Sequence, residues 1–154
     1  MVEDEHEVAR LYTEWLADDY EVETVGDGRE ALTVVSDAVD VVLLDRRMPR
    51  LGGDETLERI RARGYDVRVA MVTAVDPELD VIELPFDTYL TKPVSESSLH
   101  AAVETLVELA AYDEAVREEF ALAEKRAALT ATKPRIELTD DDRFQQLEAS
   151  LSAA

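Results

Sequence analysis

The chain has 154 residues, 46% of them hydrophobic, and sets 36 acidic against 16 basic side chains for a formal charge of −20. That length supports one substantial core and a small appendage. No run reaches the roughly 18–20 apolar residues of a membrane span, no signal peptide is visible, and the lack of cysteine removes disulfide and thiolate-metal chemistry, so a cytoplasmic location is expected.

Only Lys92, Lys125 and Lys133 are lysines. A chain that repels itself this strongly needs screening, and in molar salt the Debye length falls to about 3 Å. With arginine preferred over lysine and Ala and Val dominating the apolar set, the composition reads as halophilic rather than merely very soluble. Direct nucleic-acid binding is disfavoured, because phosphate contacts need a basic patch.

After "MVEDE", Val8, Leu11, Trp15 and Leu16 recur at helical spacing and predict an amphipathic helix ending near Asp18-Asp19. "YEVETV" (20–25) is β-prone, and "GDG" turns the chain into a short helix around 30–35. "VDVVLL" (39–44) is apolar without alternation, as in a strand buried on both faces of a parallel sheet, and it ends at Asp45. "RRMPRLGG" is a loop, and a helix over 54–63 follows. "VRVAMV" (67–72) is a strand ending at Thr73, "ELDVIEL" before Pro85 leaves room for two helical turns at most, and "FDTYL" (86–90) is a last strand before Thr91-Lys92-Pro93. This alternation implies an open parallel sheet wrapped by helices.

From Ser95 the pattern becomes helical. Leu99, Val103, Leu106, Ala110, Val116, Phe120, Ala123 and Ala127 trace a stripe almost to Thr132, and Pro134 interrupts it. "TDDDRFQQLEASL" reads as a final helix capped by Thr139. The expected organisation is an α/β domain over 1–111 and a helical hairpin over 112–154.

Ligands of parallel α/β sheets bind at the carboxyl ends of the strands, where Glu3, Asp4, Asp45, Thr73 and Lys92 stand. One carboxylate can accept a phosphoryl group, two more can hold Mg²⁺, a hydroxyl can bond a phosphoryl oxygen and an ammonium can neutralise its charge. Each has a plainer role when taken singly: a frayed acidic terminus for Glu3-Asp4, a strand-end cap for Asp45, a turn for Thr73 and a core aromatic for Tyr89. Arg46 and Arg47 read as solvated loop charges.

"VEDE", "VVLLDRRMPRLGG", "MVTA" and "YLTKP", in that order, resemble the receiver domain of two-component response regulators over about residues 1–110. The resemblance implies a flavodoxin-like, CheY-like five-stranded sheet of order 2-1-3-4-5. It implies Asp45 as phospho-acceptor and Mg²⁺ held by Glu3, Asp4, Asp45 and the backbone carbonyl of Arg47. Lys92 and Thr73 are then the family's lysine and switch hydroxyl, and Tyr89 the aromatic coupled to the switch. A sensor histidine kinase is the implied phosphoryl donor. The tail, through "AAYDEAVREEFALAEKRAALTA", is similar to the HalX domain that follows receivers in haloarchaeal regulators.

Two departures from the family pattern stand out. Only Met1 and Val2 precede the acidic pair, so strand 1 is expected to be truncated and the sequence to start a few residues late, at an internal Met. The segment from Thr73 to Lys92 is short and holds Pro77 and Pro85, so the fourth helix is expected to be stunted and the usual dimerisation face altered.

The tail carries 12 acids against 6 bases from Leu99 on, which favours interaction or homodimerisation over a DNA-reading role. The stripe Val116, Phe120, Ala123 and Ala127 is expected to be its packing face, against the second helix or another copy. The functional expectation is a phosphorylation-dependent signalling switch; the alternative is a phosphorylation-independent adaptor. An aspartyl-nucleophile phosphatase is disfavoured because Arg47, not a general acid, lies two residues after Asp45, so no enzymatic turnover is expected.

Overall fold

The structure is a computed structural model and describes residues 1–153; Ala154, the last residue assigned to the tail, lies outside the described residues. Three parallel strands form the sheet in the order β1-β2-β3: β1 is Val41–Leu44, β2 Arg68–Thr73 and β3 Thr88–Thr91. Side chains alternate across it. Val42, Leu44, Val69 and Met71 enter one apolar cluster, and Leu43, Ala70 and Val72 enter the other.

The second cluster is closed by α1 (His6–Leu16) and α4 (Glu96–Leu109) through Tyr12, Leu16, Leu99, Val103 and Leu106. The first is closed by α2 (Gly28–Val34) and α3 (Gly53–Ala62), with Ala31, Leu32, Leu57 and Ile60 as the buried contacts. Local capping sets where two of these helices begin. Asp27 accepts from Glu30 N at 2.9 Å to start α2, and Ser95 accepts from Ser98 N at 3.1 Å to start α4.

The expected five strands are corrected to three. Residues 1–3 do lie between Val25 and the end of β1: Val2 N donates to Leu43 O at 2.8 Å, Asp45 N to Val2 O at 3.1 Å, Glu3 N to Val25 O at 3.0 Å and Val25 N to Met1 O at 2.9 Å. So short a stretch supports only single bridges, Val2 to Val25 and Val2 to Leu44, and "YEVETV" is left without a partner along most of its length. A cavity of about 640 Å³ lies beside it, lined by Val22, Val25, Val35, Val41, Leu43 and Val103 among others.

Between β2 and β3 a five-residue 3₁₀ segment, Leu79–Glu83, replaces a full helix, as the flanking prolines require. The tail forms α5 (Glu114–Thr132), α6 (Arg135–Thr139) and α7 (Asp142–Ser152). The plain hairpin is thus corrected to two helices joined by the short α6. The last helix is capped by Asp141, whose carboxylate accepts from Arg143 N at 2.8 Å, while Thr139 closes α6 instead.

The tail joins the first cluster: Leu129, Leu138, Phe144 and Leu147 pack with Val81, Leu84 and Phe86. Of the two partners expected for the α5 stripe, the second helix does not take most of it. Val116 is 42% exposed, and Ala123 and Ala127 face solvent, whereas Lys125 and Leu129 are buried. Phe120 is half-buried against the second cluster.

Candidate functional site

The carboxyl ends of the strands gather most of the residues singled out in the sequence. Glu3 and Asp4 follow the Val2 bridge, Asp45 follows β1, Thr73 ends β2 and Lys92 follows β3. Carboxylate oxygens of Glu3, Asp4 and Asp45 lie within 4.8 Å of one another. Lys92 reaches across to this group, with Nζ donating to Asp45 Oδ2 at 2.9 Å and to Glu3 Oε1. Glu3 is only 4% exposed, Asp45 is buried and Asp4 is the most open of the three.

One ammonium against three carboxylates leaves an excess of two negative charges when all are ionised. Two such charges at this separation repel by roughly 3 kcal/mol at an effective dielectric constant near 20. The strain shows on Glu3: burial pushes its carboxyl up to about 7, and the bond from Lys92 pulls it back only in part. Burial opposes the charge on Lys92 as well, but hydrogen bonds to Glu3 and Asp45 outweigh it and hold the ammonium above its ordinary range. An all-oxygen donor set with unspent negative charge fits Mg²⁺.

Backbone groups fix the two buried acids. Glu5 N donates to Glu3 Oε2 at 3.3 Å, and Arg47 N donates to Asp45 Oδ1 at 3.2 Å. The loop after Asp45 is pinned by Gly53, whose N–H donates to Arg46 O at 2.7 Å. A Cβ on Gly53 would lie 2.1 Å from Asp45 O and 2.6 Å from Arg46 Cα, so only glycine lets α3 start this close to the loop.

Thr73 is fully buried, its Oγ1 accepting from Val75 N at 3.3 Å, and its carbonyl accepts from Lys92 N at 2.7 Å. Tyr89 is buried against Phe86, 5.7 Å between ring centroids, and its hydroxyl donates to Val75 O at 2.5 Å. Thus the segment just past Thr73 already touches both the threonine and the tyrosine.

Arg46 departs from its reading as a solvated loop charge, whereas Arg47 is exposed as expected. Its side chain is only 10% exposed and grips Asp54 with two hydrogen bonds, Nε to Oδ1 at 2.8 Å and Nη2 to Oδ2 at 2.7 Å. Nη2 also meets Asp80 Oδ2 at 3.2 Å, and Nη1 meets the Tyr89 hydroxyl at 3.5 Å. The sequence signal was weak: an aspartate eight residues on, in the first turn of the next helix, is common in so acidic a chain. Arg47, by contrast, enters the site through its backbone.

A layered α/β fold with an acidic pocket at its strand ends and a lysine across it defines a receiver-type signalling domain. Residues 1–104 match the response regulator receiver domain and residues 108–154 the HalX domain, so the chain belongs to the response regulator receiver family and carries a HalX domain. A Haloferax volcanii protein named "putative transcriptional regulator" is 46% identical over 154 residues, covering 99% of this chain and 26% of that protein. The transcriptional regulatory protein CpxR of Escherichia coli K12 is 34% identical over 111 residues, 70% of this chain and 47% of its own length. The chain therefore spans between a quarter and a half of these relatives.

Among solved structures, TrrA of Thermotoga maritima in complex with Mg²⁺ and BeF aligns with a TM-score of 0.62 at 30% identity, covering 68% of this chain and 94% of TrrA. CheY4 of Vibrio cholerae aligns with a TM-score of 0.64 at 28% identity, covering 68% and 93%. Among the described residues no helix is long and apolar enough to cross a membrane.

Proposed function

We propose that the chain is a phosphorylation-dependent signalling switch whose phospho-acceptor is Asp45. The observation that carries this reading is the meeting of Glu3, Asp4 and Asp45 within 4.8 Å, with Lys92 bonded to Asp45. Glu3, Asp4, Asp45 and the backbone carbonyl of Arg47 would hold Mg²⁺. When bound, the metal supplies positive charge for the carboxylates and for incoming phosphoryl oxygens.

A sensor histidine kinase is the proposed donor. An Asp45 carboxylate oxygen attacks the phosphorus of a phosphohistidine, the P–N bond breaks and the departing imidazole takes up a proton. Lys92 stays protonated and neutralises part of the charge gathered on Asp45. The Thr73 hydroxyl, released from Val75 N, bonds a phosphoryl oxygen. Tyr89 is already buried, so switching redistributes its bonds to Val75 and Arg46 rather than carrying the ring in from solvent.

The helical tail is the proposed readout. Its boundary is placed at 111/112, within the short connection between α4 and α5. The outward face of α5 around Val116, Ala123 and Ala127 is the surface for a homodimer, because α7 packs elsewhere on α5. The protein works in the cytoplasm and contacts partners rather than nucleic acid directly.

Intact-mass measurement after incubation with a small phosphodonor and Mg²⁺ tests the switch. One added phosphoryl group, absent in Asp45→Asn, supports it. No mass gain under salt conditions that keep the chain folded rejects it in favour of a constitutive adaptor.

A further inference from the structure

We propose that the seam between the sheet and α5 is a binding site for one small anion, a halide or the oxyanion of a phosphate or carboxylate. The site lies far along the chain from the acidic pocket, at the amino-terminal ends of β2 and β3. A cavity of about 400 Å³ opens there, lined on the sheet side by Arg61, Arg68, Phe86 and Asp87 and on the tail side by Arg117 and Lys125.

Four of the 16 basic side chains of a chain with charge −20 converge on this one cavity. Arg68 and Lys125 are buried, and Arg61 and Arg117 are mostly so. Two of the carboxylates that line it, the buried Asp87 and the largely exposed Asp66, are already engaged. Asp87 accepts from Arg68 Nη1 at 2.7 Å and from Val69 N at 2.7 Å, with Arg61 at 3.5 Å. Asp66 accepts from Arg68 Nη2 at 2.5 Å and pairs with Arg117 at 2.9 Å. Glu114 and Glu118 also line the cavity, so its charges balance in total, but among the buried lining groups Arg68 and Lys125 face Asp87, an excess of one positive charge.

Two buried cations also retain donors. Arg68 Nε is buried with no hydrogen-bond partner among the described residues. Lys125 has three N–H donors, yet among the described residues its only hydrogen bond goes to Ile82 O at 3.2 Å, with the Phe86 ring 5.1 Å away. No carboxylate bonds it among the described residues, and burial pushes its ammonium down to about 8. A buried ammonium that no carboxylate bonds is costly, since Asp87 acts on Lys125 only at a distance and burial outweighs it, and an anion between Lys125 and Arg68 lowers that cost.

Glu114 and Glu118 sit exposed at the mouth and oppose entry at low salt. In molar salt the Debye length of about 3 Å confines their repulsion to the rim. Occupancy would tie α5 to the sheet, because Lys125 and Arg117 belong to the tail and Arg68 to β2.

The test measures chloride and phosphorus NMR linewidths, with inorganic phosphate as the second probe, at constant potassium concentration on the full chain. Three proteins are compared: wild type, Lys125→Met and Ala121→Glu. Residue 121 lies one helical turn before Lys125 and also lines the cavity, so a glutamate there supplies an internal carboxylate at the favourable i,i+4 spacing and preserves folding. Excess broadening of either probe by the wild type, lost in Lys125→Met and in Ala121→Glu, supports the site, and the probe affected identifies halide or oxyanion. No excess broadening in the wild type overturns it. Equal broadening in wild type and Ala121→Glu overturns it too, as adventitious surface association.

Discussion

Replacing Arg46 by Gln removes a guanidinium that joins the loop after Asp45 to α3, Tyr89 and the 3₁₀ segment. A charge-assisted hydrogen bond contributes roughly 1.5–3 kcal/mol when shielded from water. Asp54 is 39% exposed, which discounts the bidentate pair to about 1–2 kcal/mol. Asp80 is 54% exposed and adds no more than about 0.5 kcal/mol. With the lost packing of the side chain, Arg46→Gln should cost about 2 kcal/mol. Urea unfolding at fixed molar KCl measures it, since urea leaves the ionic screening unchanged; a slope of about 2 kcal/mol/M makes the shift about 1 M. In double-mutant cycles, coupling to Asp54→Asn should be about 1–2 kcal/mol and coupling to Asp80→Asn under about 0.5 kcal/mol. A loss below about 0.5 kcal/mol, or full additivity with Asp54→Asn, refutes the clamp.

Gly53→Ala should destabilise by about 2–3 kcal/mol and weaken Mg²⁺ binding, because the new Cβ meets Asp45 O and Arg46 Cα, which are backbone atoms; stability within about 0.5 kcal/mol of wild type contradicts this. Leu129→Ala should cost about 2–5 kcal/mol and lower the midpoints of both Trp15 fluorescence and helical circular dichroism, since the tail shares the receiver's core; an unmoved Trp15 transition would separate the two. Glu3 holds its proton to about 7 in the folded, metal-free chain, against an ordinary value of 4.5, so the folded state binds the extra proton between these values. Stability should therefore fall as pH rises from about 4.5 to 7, by at most about 3 kcal/mol relative to Glu3→Gln, and Mg²⁺ should remove the difference; parallel profiles for the two proteins without metal would count against it.

The pocket was legible because each of its residues ends an apolar run, and the carboxyl edge of a parallel sheet brings such ends together. Asp45, Thr73 and Lys92 could be placed from pattern alone, and so could the stunted segment between Pro77 and Pro85. Strand boundaries in the first third were not, since "YEVETV" has strand composition but its partner offers only three residues. The face that α5 turns toward the receiver core was not legible for a different reason. Its alanines give little asymmetry, and the residue that turns inward is Lys125, which a polarity pattern assigns to solvent. Thr139 and Asp141 are equally competent caps, and the short turn after Pro134 decides between them. Arg46 escaped notice because burial of an arginine depends on distant partners, Asp80 and Tyr89, that no local spacing reveals.

The central claim is that Glu3, Asp4 and Asp45 act as one divalent-cation site supporting phosphoryl transfer to Asp45. The rate of phosphoryl incorporation from a small phosphodonor, followed by intact mass across a Mg²⁺ titration in molar KCl, tests it most directly. The account predicts a saturable dependence on Mg²⁺, a much weaker response in Asp4→Asn and no incorporation in Asp45→Asn. Incorporation that is independent of Mg²⁺, or that persists in Asp45→Asn, would contradict it.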